Sequence, residues 1–348
     1  MNLANLSLTA LTAQTAQTAL IIGVTGQDGY YLTKLLLEKN YNVHGMIRRT
    51  SRNNTSHLNE FSALQLHYGD LCDETSMREI INAICPDEIY NLGAMSDVGV
   101  SFTQPMYTAD VDGIGVLRLL NAIKSCMNIS GHNIRLYQAS TSELFGSSAP
   151  PQCETTQFMP RSPYAVAKLY GYHIIKNYRE AYGMFACNGI LFNHESPHRG
   201  HNFVTRKITL GVAQIVAGKQ QCVVLGNLSS ERDWGHARDY VHAMWLMLQA
   251  DTPSDYVIAT GTSHTIREFA TAAFVHVGMN LRWEGSGVNE IGIDESGIIR
   301  VCCDKKYYRA AEVDALCGDA TKARVELGWS PTTTFNEIVV EMQDSDLI

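Results

Sequence analysis

Along the first half of the chain, short apolar runs alternate with longer segments whose apolar residues recur at helical spacing. Ala19-Leu-Ile-Ile-Gly23 is an apolar run closing on glycine, the pattern of a buried parallel strand. Tyr30 to Lys39 follows with Leu32, Leu35 and Leu36 on one helical face, and Asn42 to Ile47 reads as a second strand. Further strands are expected at Leu64 to Tyr68, Glu88 to Leu92, Ile134 to Ala139 and Phe185 to Leu191, with helices between them at Ser76 to Ile84 and Val111 to Lys124. Such alternation predicts an α/β fold: a doubly wound parallel sheet of Rossmann type with helices on both faces.

From Glu195 the regularity weakens, although Tyr256 to Thr260 still has the composition of a sheet strand. The expected organisation is therefore a Rossmann-type sheet domain over residues 20–194, rejoined by strand 256–260, and a smaller C-terminal α/β lobe over residues 195–348. The polar, glycine-rich stretch from Gly285 to Gly297 falls in that lobe, which would cover the carboxyl ends of the strands, where open α/β sheets bind ligands. Residues 1–19, with the repeat Thr12-Ala-Gln-Thr-Ala-Gln-Thr18 and no Lys or Arg, read as a poorly ordered extension unlike a secretory or transit peptide.

Composition narrows the function classes. A net charge of -8 and a pI of about 5.8 argue against nucleic-acid or anionic-membrane partners. No apolar run approaches the ~20 residues that span a bilayer. The nine cysteines contain no Cys-x-x-Cys, and Cys302-Cys303 does not fit a zinc ribbon. They read as reduced thiols of a cytoplasmic protein.

Gly23-x-x-Gly26-x-x-Gly29 follows the first strand and opens the first helix. Glycines there let the backbone approach a pyrophosphate seated on helix N-terminal amides. Arg48-Arg49 follows the second strand, where an NAD enzyme usually carries an acid; guanidinium groups suit a 2′-phosphate, so NADP is the expected cofactor.

Tyr-x-x-x-Lys occurs three times, at Tyr30/Lys34, Tyr164/Lys168 and Tyr172/Lys176. Only the middle pair follows Ser162-Pro163, which puts Tyr164 in the first turn of a helix and Lys168 one turn on along the same face. With the oxidised nicotinamide, the Lys168 charge is expected to depress the phenol's pKa and make Tyr164 a base; the other two pairs are expected on helix surfaces. Thr141 and Glu143 lie just past a strand, at the carboxyl edge of the sheet. Hydride transfer at an alcohol needs no such acid. An acid beside that chemistry implies a second proton transfer, at the neighbouring carbon, as dehydration requires. His194-Glu-Ser-Pro-His198 matches the zincin motif, but Pro197 opposes the helix that zinc binding by both imidazoles needs, and no metal is expected.

Along nearly all of its length after residue 19, the sequence resembles the GDP-mannose 4,6-dehydratase family of the extended short-chain dehydrogenase/reductase superfamily. The matching stretches are Gly23-Val-Thr-Gly-Gln-Asp-Gly29, Tyr107-Thr-Ala-Asp-Val-Asp-Gly113, Gln138-Ala-Ser-Thr-Ser-Glu-Leu144 and Arg161-Ser-Pro-Tyr-Ala-Val-Ala-Lys-Leu-Tyr170. They continue with Phe192 to Pro197, Asn202 to Lys207, Arg232 to His236 and Tyr307-Tyr-Arg309.

Residue by residue, the resemblance implies Thr141, Glu143, Tyr164 and Lys168 as the catalytic group. Around NADP it implies Gly23, Val24, Thr25, Gly26, Gln27, Asp28, Gly29, Arg48, Asp70, Leu71, Leu92, Gly93, Ala94, Met95, Ser96, Tyr107, Lys168, His194 and Arg199. For the GDP-sugar it implies Asn193, Val204, Lys207, Arg232, Arg309 and Glu312, the arginines suiting a diphosphate by bidentate geometry. It also implies a homo-oligomer, dimer or tetramer, in which the basic loop Arg48 to Ser56 reaches a neighbouring subunit.

The implied reaction is oxidation at C4, elimination of water across C5–C6 and reduction at C6, converting GDP-mannose to GDP-4-keto-6-deoxymannose for GDP-fucose or GDP-rhamnose type synthesis. The chain departs from the family at Met95-Ser-Asp97, at Ala310 and in a slightly short loop between Gly146 and Glu154. These departures leave open a related GDP-sugar such as a heptose. A 4-epimerase shares the fold and the Tyr/Lys pair but usually carries small residues in place of Glu143. A non-catalytic NADP sensor would keep the glycines without needing Thr141, Glu143 and Tyr164 together.

Overall fold

The computed structural model describes residues 16–51, 54–308, 311 and 313–347. The extension expected at the N-terminus falls largely on residues 1–15, outside this range. Its last two positions, Thr18 and Ala19, belong to the first strand.

Six strands form the first half: β1 (Thr18–Ile22), β2 (Asn42–Ile47), β3 (Gln65–Tyr68), β4 (Glu88–Asn91), β5 (Arg135–Ala139) and β6 (Ala186–Leu191). In β1, Ala19 and Ile21 face one helical layer while Leu20 and Ile22 face the other. Burial on both faces is why the run is continuously apolar instead of alternating. The intervening helices are α1 (Gln27–Glu38), α2 (Glu74–Ile84), the short α3 (Val98–Ser101) and α4 (Pro105–Ala109), α5 (Gly115–Ser130) and α6 (Pro163–Tyr182).

Helix ends follow local chemistry. Asp73 caps α2 by accepting from the Thr75 amide, and Ser162 caps α6 by accepting from the Ala165 amide at 3.1 Å with Pro163 at the first position. Left-handed Gly131 and Gly183 end α5 and α6. The helix expected from Val111 is instead a π-turn over Asp110–Ile114 running into α5. Helix α1 starts at Gln27, three residues before the expected position and inside the glycine motif.

Beyond β6 the chain adds β7 (Asn193–Glu195), α7 (Val204–Val216), β8 (Val223–Leu225), β9 (Glu231–His236) and α8 (Ala237–Gln249), then returns with β10 (Tyr256–Ile258) beside β6. The main sheet is parallel throughout, in the order β10-β6-β5-β4-β1-β2-β3. The rest comprises β11 (Ser263–Thr265), α9 (Ile266–His276), β12 (Arg282–Glu284), β13 (Ile291–Ile293), β14 (Ile299–Cys303), β15 (Ala315–Leu316), α10 (Thr321–Leu327) and α11 (Phe335–Leu347). These strands make two small sheets, β11-β9-β15 with β7 beside β9, and β12-β13-β14-β8.

Apolar cores lie on both faces of the main sheet, one built with α1 and α8 and the other with α2, α5 and α6. A third core joins α7, α9 and α11 through Ile208, Trp234, Phe269 and Met342. Among the described residues, no helix is long and apolar enough to cross a membrane. Tyr172, expected on a helix surface, is buried and donates to Asp255 at 3.3 Å, because its face of α6 packs on the sheet.

Candidate active site

A cleft of about 1140 Å³ runs across the carboxyl ends of β1, β4, β5 and β6, between the main sheet and the segments after β7. Its floor begins at Gly23, held at φ +82, where an added Cβ would stand 2.8 Å from the Gly93 amide nitrogen. Only glycine fits both the conformation and this approach. Gly26 is followed directly by α1, whose free amides face the cleft as an anion site.

The second half of the chain is tied to this loop by buried polar groups. Gln27 donates to the His194 carbonyl at 2.9 Å and accepts from the Ser196 hydroxyl at 2.8 Å. His194 lies with Nε2 2.9 and 3.0 Å from the two Asp28 oxygens and Nδ1 2.8 Å from the Phe192 carbonyl. Acceptors at both ring nitrogens favour the imidazolium. Burial works against that charge, yet Asp28 outweighs it and holds the ring above its ordinary titration, while His194 in turn holds Asp28 below the usual carboxylate range against its own burial. The literal zincin match is thus not a metal-binding helix. His194 sits in β7 against Asp28, and His198 stacks on Tyr30 at 3.7 Å.

Thr141, Glu143, Tyr164 and Lys168 meet on one wall. Strand β5 ends at Ala139, and Thr141 then accepts from the Glu143 amide at 3.2 Å, starting the single 3-10 turn Ser142–Leu144 that carries Glu143 into the cleft. Lys168, 3% exposed, donates to the Ala139 carbonyl at 3.2 Å, and its Nζ lies 5.9 Å from the Tyr164 ring centroid. The expected depression of the Tyr164 pKa by Lys168 is not met by the protein's own groups. Burial, then the Asp112 carboxylate, push the phenol above the ordinary tyrosine range, while the Thr141 hydroxyl and Arg199 pull the other way. Burial also lowers the Lys168 ammonium, with Asp112 opposing.

Asp112 was not picked out from the sequence, although it lies within the Tyr107–Gly113 stretch. It is 1% exposed in the π-turn, its Oδ1 accepts from the Met95 amide at 2.9 Å, and burial pushes it up to about 6 despite Lys168. A carboxylate among the apolar positions Val111, Val116 and Leu119 was the available signal.

Around the remainder of the cleft stand Gly29, Thr25, Leu92, Ala94, Ser96, Asn193, Val204, Lys207, Arg199 and Arg232. Arg199 pairs with Glu195 at 3.1 Å, and Lys207 lies 3.3 Å over the Tyr307 ring. Val24, Leu71 and Gly93 pack behind the lining, and Met95 faces Asp112 with its backbone. Arg48 donates to the Tyr107 hydroxyl just past β2, and Asp70 caps a turn through the Cys72 amide at 2.9 Å; none of these three lines the cleft. Arg309 and Glu312 lie outside the described residues. Residues missed as site residues include Asn227 and Ser230, which the lobe brings to the cleft from segments with no motif of their own, and Tyr307 and Tyr308, which lie in the Tyr307–Arg309 stretch of the resemblance.

A parallel sheet with a glycine turn, and a Tyr/Lys helix beside an acid-bearing strand end, define the nucleotide-sugar epimerase and dehydratase class of fold. The solved UDP-glucose 4-epimerase of Thermotoga maritima, described with UDP-glucose, superposes with a TM-score of 0.80 over 94% of this chain and 98% of its own, at 21% identity. That likeness carries the fold alone. The family model described as GDP-mannose 4,6 dehydratase matches residues 20–342, and the chain belongs to that family. The GDP-mannose 4,6 dehydratases of Homo sapiens and Drosophila melanogaster are each 55% identical to it over 339 residues, covering 94% of this chain and 91% and 85% of theirs.

Proposed function

We propose that this enzyme converts GDP-mannose to GDP-4-keto-6-deoxymannose and water through an internal redox cycle on bound NADP. The observation that carries the reading is the meeting of Thr141, Glu143, Tyr164 and Lys168 on one wall of the cleft that the glycine turn opens into. The cradle suits a dinucleotide: Gly23 leaves no room for a side chain, and the α1 amides accept an anion. Arg48 and Arg49, exposed past β2, suit a 2′-phosphate and favour NADP over NAD. A nicotinamide held in this cradle would supply the acceptor for the C4 hydride and its donor to C6, and its positive charge would counter the burial that holds Tyr164 high.

Tyr164 removes the C4 hydroxyl proton while Thr141 holds that oxygen by hydrogen bonding. Lys168 places its amine 5.9 Å from the Tyr164 ring centroid, as the nearby cationic group of the pair. The C4 ketone acidifies C5–H, which Glu143 removes, and the protonated Glu143 passes that proton to the C6 hydroxyl, which leaves as water. Once C6 is reduced, C5 takes up one proton in balance with the one Tyr164 removed, and Tyr164 is restored. Lys207 and Arg232 supply cations for the diphosphate. The product suits GDP-fucose or GDP-rhamnose type synthesis, in the cytoplasm. A homo-oligomer fits the apolar face left open by Met106, Tyr107, Ile114, Val166 and Tyr170 on α4, the π-turn and α6.

The test is Glu143→Gln with GDP-mannose deuterated at C4. The variant should form the 4-ketone and reduced cofactor without losing water, whereas the wild type should carry deuterium into the new methyl group. Normal turnover by the variant, or deuterium lost to solvent in the wild type, would refute the assignment.

A further inference from the structure

Cys222 lies immediately before β8 and Cys302 lies within β14. The two strands run parallel with Val301 opposite Val223 and Cys302 opposite Val224. The two sulfurs are 3.2 Å apart, and both residues are free and only partly buried. In this register Cys222 sits two residues back from the partner of Cys302, so the pair shares one face as diagonal neighbours. Diagonal Cα atoms in a sheet lie about 7–8 Å apart, whereas a disulfide holds them within about 4.4–6.8 Å. A bond also needs its sulfurs about 2.0 Å apart, so linking this pair closes about 1.2 Å between them and draws β8 against β14.

We propose that Cys222 and Cys302 form a reversible oxidation site, a dithiol that reacts with small-molecule disulfides. One protein thiolate attacks a sulfur of the oxidant and expels the first small thiol. The second protein thiol then attacks the mixed disulfide and expels the other. Two S–H bonds are lost from the protein and one S–S bond forms, while two electrons and two protons pass to the oxidant, leaving two small thiols. Burial, then the neighbouring Cys302, push the Cys222 thiol up to about 12, so the exchange is slow at neutral pH and faster in alkali. Cys303 points to the opposite face of β14, into the lobe core, and does not compete. The strain of pulling the strands together makes the bond the labile, readily reduced kind.

Both strands deliver cleft residues a few positions on. Leu225, Gly226 and Asn227 follow Cys222, and Lys306, Tyr307 and Tyr308 follow Cys302. At that rim a Cβ on Gly226 would stand 2.7 Å from the Tyr307 carbonyl oxygen, so the packing leaves no slack to absorb a strand shift. Oxidation should therefore weaken binding at the lobe end of the cleft. This last step rests on the proposed function, whereas formation of the bond does not.

The experiment incubates the reduced full-length protein with oxidised glutathione. It then reads intact mass, disulfide-linked peptides, GDP affinity by titration and the KM for GDP-mannose. A loss of two hydrogens, a 222–302 linked peptide, and a several-fold weakening of GDP affinity and rise in KM reversed by dithiothreitol are expected. Cys222→Ser and Cys302→Ser should each keep the reduced protein's KM and abolish the response. Absence of the linked peptide would overturn the oxidation site, and a linked protein with unchanged GDP affinity would overturn its coupling to the cleft. A reduced protein that does not turn over GDP-mannose would instead count against the proposed function, with the peptide and the GDP titration still deciding the oxidation site.

Discussion

Gly29→Ala is a substitution on which propensity and packing disagree. Gly29 lies in the first turn of α1, where alanine is favoured over glycine by about 1 kcal/mol. In the folded protein an added Cβ would stand 2.4 Å from the Val24 carbonyl oxygen and 2.5 Å from the Val24 carbonyl carbon and Cα. Ordinary contact begins at 3.4 Å, so the shortfall is 3.4 − 2.4, or 1.0 Å, against backbone that no rotamer change can move. Either α1 retreats from β1 or the turn opens, and overpacking of this kind costs about 1–3 kcal/mol. Packing should win, with a fall of a few °C in the unfolding midpoint. The same retreat draws the α1 amides away from a pyrophosphate, so NADP affinity should fall at least about tenfold, or about 1.4 kcal/mol. Thermal unfolding without ligand and an NADP fluorescence titration measure the two effects separately. An alanine variant that melts at or above wild type and binds NADP equally well would refute the reasoning.

Two further outcomes concern buried charge. His194 titrates above its ordinary 6.5, so its contribution to stability is complete below that value and is lost as pH rises through the raised folded value; Asp28, depressed from 3.8, contributes above 3.8 and loses it as pH falls. The gap in unfolding midpoint between wild type and His194→Asn should therefore narrow on the alkaline side; a gap independent of pH would count against an ion pair beneath the glycine turn. Asp112 is raised from 3.8 to about 6, so it costs stability as pH climbs through that window, on the order of 3 kcal/mol once fully ionised. Asp112→Asn keeps an acceptor for the Met95 amide, and its stability should lack that decline; superimposable pH profiles of the two proteins would show that the carboxylate is not strained by burial.

Much of the molecule was legible in the chain because its signals are local. The run Leu20-Ile-Ile22, closing on glycine, matched a strand covered on both faces, and Ser162-Pro163 marked the start of the helix that carries Tyr164 and Lys168. The three Tyr-x-x-x-Lys pairs were separable by that cap alone. Other features had no local signature. The glycine motif marked a helix to follow, but its start at Gln27, inside the motif, was not marked, because Gly29 disfavours helix and only the turn after β1 sets that start. Tyr172 looks like a surface tyrosine until α6 docks and brings it to Asp255, 83 positions away.

By itself the sequence determined the sheet, the glycine cradle and the identity of the groups at the strand ends, since periodic burial and helix capping act over a few neighbouring residues. Only the tertiary structure decided their charge and their company. Asp28 meets His194 across 166 positions, Asp112 turns its carboxylate toward Lys168, and Tyr307 folds under Lys207. Such meetings depend on how helices and lobe settle on the sheet, and the cost or gain of a buried charge exists only after water has been removed from around it.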